Sequence, residues 1–398
     1  MKQKKRLKSV PKSELQKEKK LFGMHYAAKE DRLYHRMLRK FRLEKPRFWW
    51  AERKLWQKIS IIFISVLMLF VGSMYGIARW YIASQSQKEF KFGATFIPSY
   101  AEYFGLDPEE TMQAMIDDLS IRHFRLVSYW DDIEKVPGTY DFTKLDWQVK
   151  KAVDSGSTIS LAIGLRQPRW PECHMPKWAE SQPKDVWYPQ LKTFMGKVIE
   201  RYKTVPNLES YQLENEFFLD VFGICPDFSR DRLVDEFNFV KQQDPSRTVI
   251  ISRSNNALGL PVGQPRPDKF GISVYKRVWD RTFTKRYFEY PFPAWFYAFL
   301  AGAGQILTGR DMIIHELQTE PWGPDKGITE ISIEEQNKSL DAKRLKDRIA
   351  YGKATGMREV DLWGVEMWYW RKVKMNDPSL WNAGKEGLAE QQCRGCYK

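Results

Sequence analysis

Two hydrophobic rhythms divide the chain. Residues 59–78, ISIIFISVLMLFVGSMYGIA, run for 20 positions without a charge. At about 1.5 Å rise per residue such a run spans roughly 30 Å, the thickness of a bilayer core. Beyond residue 88 the pattern changes. Short apolar runs alternate with stretches of helical period, so strands and amphipathic helices are expected in turn.

The apolar runs place strands at 90–96, 124–129, 158–165, 208–216, 248–252, 270–275, 311–318 and 359–368. Helical periodicity falls at 108–120, 142–154, 188–202, 230–243 and within 333–354. Asp107 is placed to cap the first of these, while Ser155-Gly156 and Asp244-Pro245 stop two others. Eight near-continuous apolar strands separated by helices predict an α/β fold, a (β/α)8 TIM barrel. The pattern offers no good helix between the fifth and sixth strands or between the sixth and seventh. An open doubly wound sheet is the alternative, but no glycine-rich phosphate loop follows the first strand.

Charge changes the picture only at the N-terminus. Residues 1–58 hold 20 Lys/Arg and 6 Asp/Glu, which equals the net +14 of the whole 398-residue chain. The remaining residues are neutral overall, so the barrel is not a bulk polyanion binder and no nucleic-acid partner is expected. The basic excess lies on one side of the apolar run, which predicts a cytoplasmic N-terminus. Trp49, Trp50 and Trp56 before the run, and Trp80 and Tyr81 after it, suit the two headgroup layers. The basic n-region is too long for a cleaved signal peptide, and no clean small-x-small site follows. The expected organisation is a basic cytoplasmic arm (1–57), a single signal-anchor helix (58–84), an exported barrel (85–390) and a tail (391–398), at the plasma membrane. Within the arm, Arg32, Arg36, Arg39, Lys40 and Arg42 interleave with Leu33, Tyr34, Met37, Leu38 and Phe41. This reads either as an amphipathic helix on anionic lipid or as a solvated tail.

Chemistry in such a barrel sits at the C-terminal strand ends. Those ends carry Arg125 after strand two, Asn215-Glu216 after strand four, Tyr275 after strand six, and Glu316, Glu320 and Trp322 at and after strand seven. Trp368 closes the expected strand eight. Two carboxyl groups among aromatics suit glycoside cleavage, where one acid protonates the leaving oxygen and a second carboxylate attacks. Glu214 has the opposite parity to Glu216 and is expected to be ion-paired between barrel and helices.

The ordered set Asn215-Glu216, Glu316, Arg125, Tyr275 and Trp368 resembles the clan-A glycoside hydrolases, retaining (β/α)8 enzymes of cellulase, xylanase and β-galactosidase type. The IHEL stretch at 314–317 resembles the nucleophile strand of xylanase-like members, and 125–142 resembles their early part. The resemblance implies Glu216 as acid/base, Glu316 as nucleophile and Asn215 as a sugar-hydroxyl ligand. It implies Tyr275 and Arg125 as supports of the nucleophile, and Trp368 as a sugar platform. Glu320, of the same parity as Glu316, is the rival nucleophile or a substrate contact, with Trp322 beside it. The implied activity is retaining hydrolysis of a polysaccharide or envelope glycan. A non-catalytic glycan-binding scaffold and a transglycosylase remain alternatives.

Two features lie outside that scheme. Residues 287–299 hold eight aromatics in 13 positions. They read as a loop beside the cleft or as a segment docking at the membrane interface. Of the four cysteines, Cys173 and Cys225 follow strands three and four and form a candidate disulfide. Cys393 and Cys396 make an isolated CxxC, which is weak evidence for zinc. No nucleotide, haem or metal motif is found and no cofactor is expected.

Overall fold

The computed structural model describes residues 50, 52–219, 223–254, 263–324 and 326–392. The arm helix read at 32–42, Trp49, Cys393 and Cys396 lie outside the described residues. The chain divides into two compact units, Met1–Val71 and Gly72–Lys398. Helix α1, Leu55–Gln85, begins in the first and ends in the second, and among the described residues it alone is long and apolar enough to cross a membrane.

The second unit is a closed barrel of eight parallel strands. They are β1 (Lys91–Thr95), β2 (His123–Val127), β3 (Thr158–Ile163), β4 (Leu208–Leu213), β5 (Thr248–Arg253), β6 (Lys269–Val274), β7 (Asp311–Gln318) and β8 (Glu359–Trp363). Each strand pairs with its sequence neighbours, and β1 closes on β8. The main helices between them are α2 (Pro108–Asp117), α3 (Thr143–Asp154), α4 (Lys184–Tyr202), α5 (Arg230–Gln243), α6 (Ala294–Thr308) and α7 (Ala342–Ala354). Two more, α8 (Val365–Lys374) and α9 (Ser379–Gln392), follow β8. Local chemistry explains their starts. The Asp107 carboxylate accepts from Glu110 N at 2.8 Å, Ser229 caps α5, and Asp341 caps α7.

Three expectations are corrected. β4 ends at Leu213, not Glu216, because Glu214 and Glu216 both adopt left-handed backbone, φ 53° and 42°. β8 ends at Trp363, not Trp368. Gly364, at φ 94°, breaks the extended run and α8 begins at once. Between β6 and β7 the chain does form a helix, α6, preceded by a two-stranded antiparallel hairpin, Arg277–Trp279 with Tyr287–Glu289. The aromatic stretch is therefore part hairpin and part helix rather than one loop.

Candidate active site

The mouth of the barrel is organised by one guanidinium. Arg125, fully buried at the middle of β2, donates through Nε to Gln212 Oε1 (2.6 Å) on β4 and through Nη2 to Asn215 Oδ1 (2.8 Å). Its Nη1 reaches Thr95 Oγ1 (3.2 Å) on β1, and the His315 carbonyl and Glu316 Oε1 (both 3.0 Å) on β7. A buried guanidinium needs this many acceptors, because each unmet donor costs free energy in a low-dielectric interior.

Glu316 completes its own partners with Tyr275, whose hydroxyl donates to Oε2 at 2.8 Å. The backbone helps to aim it. β7 carries an extra residue at His315 relative to β6, so Ile314 pairs with Ile272 but Glu316 pairs with Ser273. Bulges of this kind re-aim side chains beside active sites. Burial and the adjoining Glu316 and Glu216 push the Tyr275 phenol well above its ordinary range, so it stays a donor.

Glu216 lies three residues beyond the end of β4, and both it and Glu214 are left-handed. Such backbone is costly for a side chain with a Cβ and persists where surroundings fix it. Here Glu216 N donates to Ser252 Oγ (3.1 Å), and Asn215 N to the Arg166 carbonyl (2.8 Å). The turn sends Glu214 the other way, to accept from Leu165 N (2.6 Å), Arg166 N (3.1 Å) and the Arg232 guanidinium (3.1 Å). A side chain at Gly164 would meet Glu214 Oε1 at 2.5 Å, so glycine is required there. Glu216 itself is 2% exposed, and Oε1 has no hydrogen-bond partner. Burial lifts its carboxyl well above the ordinary glutamate range, and the charges of Glu316 and Glu172 lift it further.

That third carboxyl was not anticipated. Glu172 lies in the loop after β3, paired with Arg166, and is pushed up to about 7. Burial is the main cause, Arg166 opposes it, and Glu316 adds to it. The Asn215 amide lies beside it. The sequence signal was present but weak: Glu172 directly precedes Cys173, and the Cys173–Cys225 disulfide, with Cα atoms 5.3 Å apart, ties the β3 loop to the β4 loop.

Glu320 has a different setting from Glu316. It accepts from Arg169 Nη1 (2.9 Å), Tyr100 OH (2.8 Å) and Trp363 Nε1 (2.9 Å). Arg169 is layered between Tyr100 (3.5 Å) and the Trp363 ring (4.2 Å). Glu320 is thus held in an ion-paired lattice, while Arg169, Tyr100 and Trp363 join the site as residues the sequence reading missed. Trp322 is half-buried, edge-on to Tyr275 at 5.3 Å. Trp368 does not reach the mouth. It is 0% exposed on α8, with Nε1 donating to the Thr319 carbonyl at 2.6 Å, so it has no free face for a sugar. Trp363 occupies the end of β8 instead.

One group among the described residues has metal-ligand spacing: His123, Glu359 and Asp361, within 4.8 Å of one another. It sits at the foot of the barrel, at the starts of β2 and β8, and Lys91 (3.5 Å) and Lys269 (3.4 Å) already pair with Glu359.

No protein-family model matches the chain, and no curated protein matches it by sequence. Solved structures do match. A β-galactosidase from the Antarctic haloarchaeon Halorubrum lacusprofundi superposes with a TM-score of 0.50 at 14% identity, over 77% of this chain and 58% of that one. The present chain therefore spans little more than half of that enzyme's length. GH5_18 from Streptomyces cattleya, solved with GlcNAc, gives 0.53 at 13% identity, over 77% and 81%. Xylanase 10B from Thermotoga petrophila RKU-1, solved with xylobiose, gives 0.50 at 14%, over 77% and 95%. The chain shares their barrel fold.

Proposed function

We propose that the protein is a membrane-anchored glycoside hydrolase that works by retaining double displacement, with Glu216 as acid/base and Glu316 as nucleophile. The observation that carries this reading is the contrast between two buried glutamates at the ends of β4 and β7. Glu216 has a raised carboxyl and a bare oxygen, as a proton donor requires. Glu316 faces two fixed donors, Arg125 and Tyr275, which orient its carboxylate.

In the first step a Glu316 oxygen forms a bond to the anomeric carbon as the glycosidic C–O bond breaks. The Glu216 proton passes to the departing oxygen. In the second step Glu216 takes a proton from water, the water oxygen bonds to the anomeric carbon, and Glu316 leaves as carboxylate. Asn215, whose Oδ1 is held by Arg125 and whose amide faces Glu172, is the candidate donor to a sugar hydroxyl beside the reacting carbon. Tyr100, half-buried and packed on Arg169, offers aromatic surface near the site, and Trp363 on the same guanidinium is 5% exposed. That the neighbours include a β-galactosidase, a xylanase solved with xylobiose and a GH5_18 protein solved with GlcNAc suggests galacto-, xylo- or N-acetylglucosamine glycans.

The apolar α1 and the charge asymmetry before it support a single-pass anchor with the N-terminus in the cytoplasm and the barrel exported. The disulfide fits that compartment. The test is a panel of aryl β-glycosides, with product anomers followed by NMR. Retained configuration is expected, with loss of turnover in Glu316→Gln on every substrate and in Glu216→Gln on glycosides with poor leaving groups. Inverted product, full activity of Glu316→Gln, or full activity of Glu216→Gln on a poor leaving group, refutes the assignment.

A further inference from the structure

The end of α1 shows from which side the chain enters the barrel. Helix α6 runs from mouth to foot: it follows the hairpin after β6 and ends just before Asp311, which pairs with Lys269 at the start of β6. The last turns of α1 lie along α6 in the same direction. Tyr75 meets Trp295 edge-on at 5.8 Å, at the mouth end. Ile77 and Tyr81 close on Gly302, where an added Cβ would sit 3.0 Å from each. Gln85 Nε2 then donates to Gln305 Oε1 (3.3 Å), and Lys88 pairs with Asp311 (2.9 Å) at the foot. Within the barrel unit, α1 therefore runs from the mouth end at Tyr75 to the foot at Gln85, and the uncharged apolar run 59–78 includes its mouth-end turns.

The hairpin stands on the same end. Its tip, 281–286, is exposed throughout, and Phe283 is 89% exposed. Arg281, Lys285 and Arg286 lie within three residues of it along the tip, while at the base Arg277 pairs with Glu289 (3.2 Å) and Lys276 donates to the Tyr290 and Phe292 carbonyls. The tip is not slack. Asp280 accepts from Thr282 N (2.9 Å), Phe283 N (3.2 Å), Thr284 N (2.6 Å) and Thr284 Oγ1 (2.7 Å), which fixes the turn that holds Phe283 outward. A preordered, exposed aromatic on a tip that carries three cations matches the anionic headgroup layer, where apolar burial and charge attraction act together.

We propose that the mouth of the barrel faces the bilayer and that the 281–286 tip inserts into an anionic lipid surface, so that the glycan cleaved is one presented at the membrane. This rests on the anchored reading of α1. The test uses the full chain with Cys393→Ser and Cys396→Ser, labelled with NBD at Phe283→Cys or, as a foot-end control, at Leu307→Cys, which is 70% exposed. Each is placed in discs of phosphatidylglycerol and phosphatidylcholine with or without doxyl-labelled lipid. The expected result is blue-shifted, doxyl-quenched emission at 283 and unquenched emission at 307. Lys285→Glu with Arg286→Glu is expected to reduce the quenching at 283. Unquenched emission at 283, or quenching at 307, overturns the proposal when alkaline extraction leaves the chain in vesicles of the same lipids. A chain released by alkaline extraction refutes the anchor itself, and this proposal with it.

Discussion

Replacement of Arg125 by methionine isolates the electrostatic design of the site. The Arg125–Glu316 pair is 3.0 Å apart, with side chains 0% and 4% exposed. At an effective dielectric constant of about 20, charges at that range attract by roughly 5 kcal/mol. Desolvation of both groups offsets much of this, so the intact pair adds little net stability. Removing only the cation is different. It strands a buried carboxylate, which costs about 3–5 kcal/mol. The Gln212 Oε1 and His315 carbonyl acceptors lose a donor as well, at roughly 1 kcal/mol each. Against a total stability of about 5–15 kcal/mol, Arg125→Met is expected to sit at the edge of folding. The assay is urea unfolding of the full chain in detergent, followed by tryptophan emission. Arg125→Met, Glu316→Gln and the double variant form a cycle, and the double variant is expected to be more stable than additivity predicts by about 2 kcal/mol. A cost below about 1 kcal/mol for Arg125→Met, or strict additivity, refutes the reasoning.

Four further outcomes are expected. Glu216→Gln lowers kcat by about 10²–10⁴-fold on substrates with poor leaving groups and less on activated aryl glycosides, which need no proton; equal losses on both would remove Glu216 from the acid role. Glu172, pushed up to about 7 in the fold, binds a proton there that the unfolded chain releases near 4.5. Its contribution is present below pH 4.5 and lost as pH rises to 7, so Glu172→Gln flattens the fall in stability across that window, measured by urea unfolding at several pH values. Reduction of Cys173–Cys225, or Cys173→Ser with Cys225→Ser, frees a 52-residue separation and costs about 4 kcal/mol, read as a lower unfolding midpoint. Trp368→Ala costs about 3–5 kcal/mol in stability with KM unchanged in the folded fraction, whereas Trp363→Ala raises KM; the reverse pattern would return Trp368 to the substrate surface.

The barrel was legible because its strands are covered on both faces and read as unbroken apolar runs. The same property hid the end of β8. Val365, Met367 and Trp368 continue the apolar run into α8, and only the backbone of Gly364 separates strand from helix. A side chain there would strike Glu320 Oε2 at 2.4 Å. Glu216 and Glu316 were legible from their place after apolar runs. Glu172 and Arg169 were not, because they sit on an irregular loop where no period tells inside from outside. α6 was missed because Pro291, Pro293 and four aromatics in its first turns mask a helix that packs by small residues, Gly302 among them.

Arg125 touches β1, β2, β4 and the bulge of β7 from a single side chain. The groups that hold the barrel closed are thereby the groups that hold Glu316 in position. Heat inactivation of this protein is then expected to lack an early phase: turnover persists while the barrel is closed and vanishes with it. On the proposed function, a change at this guanidinium is expected to alter barrel stability and turnover together.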